Sequence, residues 1–239
     1  MRVSSRIAAL LSMCLLATPA AVLTAPAAVA EEVAQTQVSI TWDKQRLRFR
    51  DTFTLQGQVT TSLSDGETYY VDSAPVSLQR RFPGKPWRTI SSTTSSSYDG
   101  TYRFAAVTAL QNAGYRVRYH GETRSDESGE LTLAASTSQV RAIKVERAFR
   151  LSSVRRNGGI VFKGRVLPKY QGKVVQIQRR RCSTCAWKGW TKVRTNKRSR
   201  FAVRVALPSR GTWDYRARTP KSPPFVASTS DKYLSVWRS

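Results

Sequence analysis

One short pattern occurs twice in the chain. The first copy is Val76-Ser77-Leu78-Gln79-Arg80-Arg81, followed by a turn-rich stretch and Trp87. The second is Val175-Gln176-Ile177-Gln178-Arg179-Arg180, followed by a longer tip and Trp190. Apolar residues at every second position describe a strand with one buried face, because successive side chains of a strand point to opposite sides. The cluster Phe82-Pro83-Gly84-Lys85-Pro86 then reverses the chain, so each copy reads as strand, hairpin tip and return strand. Two such hairpins about 100 residues apart call for two similar β units rather than one helical or mixed domain.

The stretches around the hairpins agree. In the first unit, strands are read at Val38–Trp42, Phe53–Val59, Val76–Arg80, Trp87–Ile90, Tyr102–Ala106 and Tyr115–Tyr119, with one or two more in Thr132–Val145. Thr60–Asp72 reads as a polar loop turning at Asp65-Gly66, and Ser91–Gly100 as a serine-rich loop closed by Asp99-Gly100. The second unit follows in step. Gly159–Val166 matches the strand around Gly57, Trp190–Val193 matches Trp87–Ile90, Phe201 matches Phe104, and Tyr215–Arg218 matches Tyr115–Arg118. Tyr233–Val236 closes it. No stretch sustains a 3.6-residue apolar period. The expected fold is all-β, with two tandem sandwiches at 38–145 and 146–239 behind a flexible lead at 31–37. The join near Val145–Arg150 is short.

The run Gly-x-Val, Val-x-Leu/Ile-Gln-Arg-Arg, Trp-x-x-Ile/Val, Asp-Gly-x-Tyr-x-Phe and Tyr-Arg-Val-Arg resembles the immunoglobulin-like repeats of secreted actinobacterial proteins. These are in turn similar to bacterial Ig-like and fibronectin type III-like domains. The resemblance implies an immunoglobulin-like fold and no particular activity, since its motifs are structural. The second copy departs from it by replacing the Asp-Gly turn with Lys197-Arg198-Ser199-Arg200.

The N-terminus stands apart. Two arginines within Met1–Arg6, the apolar run Ile7–Leu16 and Ala28-Val29-Ala30 have the layout of a secretory signal peptide over residues 1–30. Ser12, Thr18, Pro19, Thr24 and Pro26 dilute the run against a membrane anchor, and Met13 before Cys14 argues against a lipoprotein. No later stretch could span a bilayer, so a secreted, extracellular location is expected, with association with the cell wall left open.

Charge separates the two halves that pattern makes alike. Residues 31–145 carry 14 Lys+Arg against 12 Asp+Glu, a net of +2. Residues 146–239 carry 24 against 3, a net of +21. Folding does not require that difference, and self-repulsion works against compactness. A polyanionic partner explains it; a solvated, arginine-rich surface is the plain alternative.

Motifs for catalysis are sparse. His120 is the one histidine, at a strand end, and any Ser-His-Asp or Cys-His site would have to use it. There is no H-E-x-x-H, phosphate loop or Gly-x-Ser-x-Gly. Asp65, Asp72, Asp99, Glu122, Asp126, Glu127 and Glu130 read as loop and turn residues, and the Ser125–Glu130 loop lacks the spacing of a calcium site. The chain reads as non-enzymatic, with no catalytic residue, no metal ligand set, no cofactor and no small-molecule substrate. Cys182 and Cys185 have no further ligands spaced for zinc. Export and the short i, i+3 spacing of a turn favour a disulfide, while Arg179, Arg180, Arg181 and Lys188 keep a low-pKa redox pair open.

Strand parity then assigns a basic face. Tyr215 and Ala217 point inward, so Arg216 and Arg218 point out, as do Gln176, Gln178 and Arg180 on the neighbouring strand. The return strand adds Lys192 and Arg194. The tip Arg179-Arg180-Arg181 and the loop holding Lys197, Arg198 and Arg200 extend the face at its ends. Lys163, Arg165 and Arg204 make the opposite sheet basic. Trp190 reads as a packing residue because Trp87 repeats it; Trp187, without a counterpart, is the candidate for stacking on sugars or bases. The expected partner is an anionic polymer, whether cell-wall polymer, acidic polysaccharide or extracellular nucleic acid. The alternative is a structural or protein–protein interaction module, with an exported protein as partner and charge serving solubility or retention.

Overall fold

The computed structural model describes residues 32–62, 66–126 and 129–238. The expected signal peptide at 1–30 lies outside them, as do Asp65 and Glu127. Among the described residues every regular element is a strand. The first thirteen are β1 (Glu32–Val38), β2 (Thr41–Trp42), β3 (Arg46–Arg48), β4 (Thr52–Ser62), β5 (Thr68–Tyr70), β6 (Pro75–Arg81), β7 (Arg88–Thr94), β8 (Thr101–Thr108), β9 (Ala113–Tyr119), β10 (Glu122–Asp126), β11 (Gly129–Leu133), β12 (Ser136–Thr137) and β13 (Arg141–Glu146). One sheet runs β10-β11-β1-β4-β2, with β5 and β8 also on β4; the other runs β3-β13-β9-β6-β7, with β12 on β9.

The remaining strands are β14 (Ala148–Arg156), β15 (Gly159–Leu167), β16 (Val174–Arg180), β17 (Lys188–Arg194), β18 (Arg200–Val205), β19 (Gly211–Thr219), β20 (Ser228–Thr229) and β21 (Leu234–Arg238). They form a three-stranded sheet, β14-β15-β18, and a five-stranded one, β17-β16-β19-β20 with β21 on β19. The protein is thus two immunoglobulin-like β-sandwiches in tandem.

Period-2 alternation builds both cores. Leu55 and Val59 of β4, Val76 and Leu78 of β6, and Tyr115 and Val117 of β9 are buried in one cluster, and Phe53 meets Tyr115 edge-on at 5.4 Å. Phe162 and Val166 of β15 lie with Val175 and Ile177 of β16 and with Tyr215 and Ala217 of β19 in the other. Gly57 and Gly164 mark the same place in the two sandwiches: a Cβ on Gly57 would strike Ser39 and the Tyr102 ring, and one on Gly164 would strike the Phe201 ring. Gly57 is paired with Tyr102 and Gly164 with Phe201. Phe201 therefore corresponds to Tyr102, not to Phe104 as the motif match suggests. The two-residue slip preserves side-chain parity, which is why sequence pattern does not detect it.

Several segments differ from the sequence reading; the expected polar loop Thr60–Asp72 holds the end of β4 paired with β5, and β7 runs to Thr94, into the expected serine-rich loop. The expected lead 31–37 contains β1, antiparallel to β4 and parallel to β11. Its inward residues are the small Ala34 and Val38, and Thr36 Oγ1 donates to Ala134 O at 2.6 Å, so the alternation is real but weakly apolar. The stretch around Ser125–Glu130, read as loop, carries the β10–β11 hairpin. The join opens β14, a nine-residue strand without alternation.

A single residue, Arg147, separates β13 from β14, and the two sandwiches meet around it. The segment between β19 and β20 lies against the first sandwich. Phe225 is buried in the first core, edge-on to Phe49 at 6.4 Å. Val226 N donates to Val145 O at 3.0 Å and Asn112 N to Pro224 O at 3.1 Å.

Candidate functional site

The β16–β17 hairpin carries the densest charge. Its tip is closed by a disulfide between Cys182 and Cys185, whose Cα atoms are 5.0 Å apart. Arg180 is held from several sides. Its Nε donates to Asp214 Oδ2 at 2.9 Å, Nη1 donates to Ser183 O at 2.5 Å, and the guanidinium lies 4.6 Å from the Trp187 ring centroid. Arg216 donates to Gln178 Oε1 at 2.8 Å and stacks on the same indole at 4.3 Å. Burial, with Arg218 and Arg180 nearby, lowers the Arg216 pKa below the ordinary arginine value. Arg179 stacks on Trp213 at 3.9 Å. Arg181 and Lys188 are exposed and, with Arg179 and Arg180, line a recess of about 560 Å³ at the tip.

The first sandwich repeats this arrangement without the disulfide. Arg81 and Arg116 stack on Trp87 at 4.7 and 4.4 Å, and Arg116 donates to Gln79 Oε1 at 2.8 Å. The strand registers fix the match: Arg80 pairs with Arg88 as Arg179 pairs with Lys188, each beside a bulge at the Gln of the motif. Trp87 therefore corresponds to Trp187, not to Trp190. The reading of Trp187 as a residue without a counterpart is corrected: its indole packs on two arginines and meets Tyr233 edge-on at 6.0 Å. Trp190 packs on the second core, 5.1 Å from Tyr215. The longer tip of the second hairpin, with its two cysteines, displaces Trp187 by one position relative to Arg180 and hides the match.

The other basic residues fall into two groups. Lys192 and Arg218 are exposed and flank Gln176 in one row across β17, β16 and β19. Arg194 donates to Gly172 O at 3.0 Å. It lies at the far end of β17, where the chain crosses to β18 and Arg200. Lys197 and Arg198 are exposed on that connection, whose turn is held by Asn196 Oδ1 accepting from Arg198 N and Arg200 N. Arg194 and Arg200 line a recess of about 590 Å³ with Arg150, Lys163 and Arg165. Arg150 sits on β14, the strand the sequence did not reveal.

His120 Nε2 lies 2.8 Å from Ser77 Oγ, which is also 3.3 Å from Ser92 Oγ. Ser77 is 7% exposed on β6, which runs between β9 and β7, so the contact fastens the three strands together. Of the acids read as turn residues, Asp72 and Glu122 hold Arg124. The Arg124 hydrogen bond is the main cause that holds the Asp72 carboxyl below its usual range. Asp99 caps its turn through Thr101. Among the described residues no group of three His, Cys, Asp or Glu side chains could hold a metal ion, and no helix is long and apolar enough to cross a membrane.

No protein-family model matches the sequence, and no curated protein matches it. Solved structures do. A tetra-tandem repeat from the extending region of a large adhesion protein matches at 15% identity and TM-score 0.34, over 85% of this chain and 50% of that one. The chicken interferon gamma receptor alpha chain matches at 13% identity and TM-score 0.44, over 82% and 96%. The FN1–FN3 domains of chicken CNTN1 match at 11% identity and TM-score 0.28, over 85% and 66%. The chain thus spans half the length of the adhesion-protein structure it matches.

Proposed function

We propose that this is an exported, non-enzymatic binding module of the kind found in secreted actinobacterial proteins, and that its second domain, 146–239, associates with anionic polymers. The observation that carries this reading is how the three carboxylates of that half are engaged. Glu146 pairs with Arg46 and Asp231 with Arg48, both in the first sandwich, and Asp214 pairs with Arg180. Of the 24 Lys+Arg in 146–239, Arg180 alone has an ion-pair partner among the described residues. Cations left in this state attract phosphate, sulfate or carboxylate chains by counterion release, with weak selectivity and steep salt dependence. Arg181, Lys192 and Arg218 are the free groups of the hairpin face, and Lys197 and Arg198 those of the connection at its far end. Arg179, Arg180 and Arg216 hold the tip in place.

The test uses the chain from residue 31 to 239, since a cut at 145/146 would take Phe225 from the first core. On columns of heparin, DNA and cell-wall polymer it is retained and elutes with salt. Changing the five free cations to Gln moves elution to lower salt on all three. Flow-through near 0.15 M salt, where the screening length is about 8 Å, would overturn the reading.

A second reading, a protein-interaction module, is favoured by β7. That strand ends its sheet and is exposed along most of its length, so it offers unpaired backbone groups to a partner strand. Salt-tolerant capture of one exported protein, lost when a proline is placed in β7, would decide for it.

A further inference from the structure

The three-stranded sheet of the second sandwich carries its charge in a row. Arg150 on β14 pairs in register with Arg165 on β15, and Arg165 with Arg200 on β18. The next position along, Gly164 with Phe201, is buried, so the three arginines share the outer face. Lys163, two residues along β15, and Arg194 complete the cationic lining of the 590 Å³ recess. Adjacent strands lie about 5 Å apart, and like charges directly opposite each other are destabilising. Among the described residues the side chains of Arg150, Lys163, Arg165 and Arg200 have no hydrogen bond, ion pair or ring contact.

The protein contains its own control for what the fold needs here. With Gly57 matched to Gly164, the corresponding row of the first sandwich is Ser39, Gln58 and Thr101. Gln58 is paired with Thr101, and Ser39 and Gln58 exchange hydrogen bonds, including Gln58 N to Ser39 Oγ at 3.0 Å. A neutral row therefore builds the same ridge, and the three arginines are an addition that folding opposes.

We propose that this recess is a seat for an oxyanion group with three or more acceptor oxygens, a phosphate or sulfate ester carried on an extracellular polymer. The proposal rests on the polyanion reading and adds a shaped site on the sheet opposite the hairpin face. Arginines on three successive strands, each strand about 5 Å from the next, can converge on one tetrahedral anion, whereas a carboxylate is satisfied by a single fork.

The triple variant R150S/R165Q/R200T gives the second sandwich the residues the first already uses. R156Q/R210Q/K232Q removes equal charge from exposed sites outside the recess. Arg165→Lys alone keeps the charge and removes the fork. The chain 31–239 is titrated with inorganic tripolyphosphate and with sulfate at constant ionic strength, followed by amide chemical shifts. The expected result is saturable shifts confined to β14, β15, β18 and the 194–200 connection. Kd rises at least about tenfold in R150S/R165Q/R200T and severalfold in Arg165→Lys, and less than about twofold in the charge-matched control. A longer hold at rising salt on polyphosphate than on heparin identifies a phosphate source, and the reverse a sulfate one. Equal losses in the two triple variants, or shifts spread over the hairpin face, would overturn the seat while leaving the polyanion reading intact. Saturable binding at the recess by a chain that no polymer column retains would leave the seat standing and remove the polyanion reading.

Discussion

The guanidinium of Arg147 stands 4.2 Å from the centroid of the Phe225 ring. Tyr170 lies 4.6 Å away, Nη1 donates to Pro168 O at 3.2 Å, and burial lowers the Arg147 pKa. The residue that links the sandwiches in sequence is therefore clasped by a ring from the second sandwich and by one seated in the first core. Phe225→Ala is predicted to destabilise by about 3–4 kcal/mol, the cost of truncating a buried phenylalanine. Calorimetry should show one unfolding transition splitting into two, because the ring belongs to one core and its segment to the other sandwich. A single unsplit transition with less than about 1 kcal/mol lost would refute this.

Trp87 and Trp187 should behave alike although only the second sits beside a disulfide. Each indole is half-buried and carries two arginines, and each cation–π contact contributes about 0.5–2 kcal/mol. Trp87→Ala and Trp187→Ala are predicted to cost similar amounts, about 2–3 kcal/mol, in urea unfolding. If Trp187→Ala leaves stability unchanged and abolishes polymer retention, the indole is a contact residue and not a packing one.

Alkaline pH should unfold the protein through its tyrosines. Burial is the first cause that pushes the phenols of Tyr102, Tyr115, Tyr119, Tyr170 and Tyr215 above their ordinary value. Their contribution is fully present below about pH 10, where the unfolded chain also keeps them neutral, and is lost as pH rises through the folded-state values. Tyrosinate absorbance from these residues is therefore predicted to appear together with loss of the β circular dichroism signal. Tyr119→Phe removes a phenol whose ionisation is opposed first by burial and then by the Glu122 carboxylate, and should move the alkaline midpoint upward. Tyrosinate absorbance from these five phenols at intact β signal would contradict the assignment.

Reducing the Cys182–Cys185 bridge should matter little to global stability. The ring it closes spans four residues, and the loop-entropy relation gives about 2 kcal/mol for a ring that small. C182S/C185S is predicted to remain folded and to lose no more than that amount in urea. A larger loss would mean that the tip holds the Arg180–Asp214 pair in place.

What could be read from the residues alone follows from what alternation records. Val175, Ile177, Tyr215 and Ala217 announce their inward faces, and the outward turn of Arg216 and Arg218 follows from parity. Alternation does not record register, so it aligns Phe201 and Trp190 with the wrong residues of the first copy. It also misses strands whose inner residues are small or polar, which hid β1 behind Ala34 and Thr36 and hid β14 behind Ser152 and Ser153. The recess at Arg150 depended on that hidden strand. Phe225 left no periodic trace, because the segment Lys221–Ala227 belongs to no strand and only the assembled structure shows which core it enters.

Synthesis runs from the N-terminus, so the first sandwich emerges before the ring that completes it, which lies ~80 residues beyond Glu146. Until Phe225 arrives, that sandwich lacks the ring that packs beside Phe49. A fragment ending between Glu146 and Phe225 therefore carries every strand of the first sandwich and still lacks one side chain of its core.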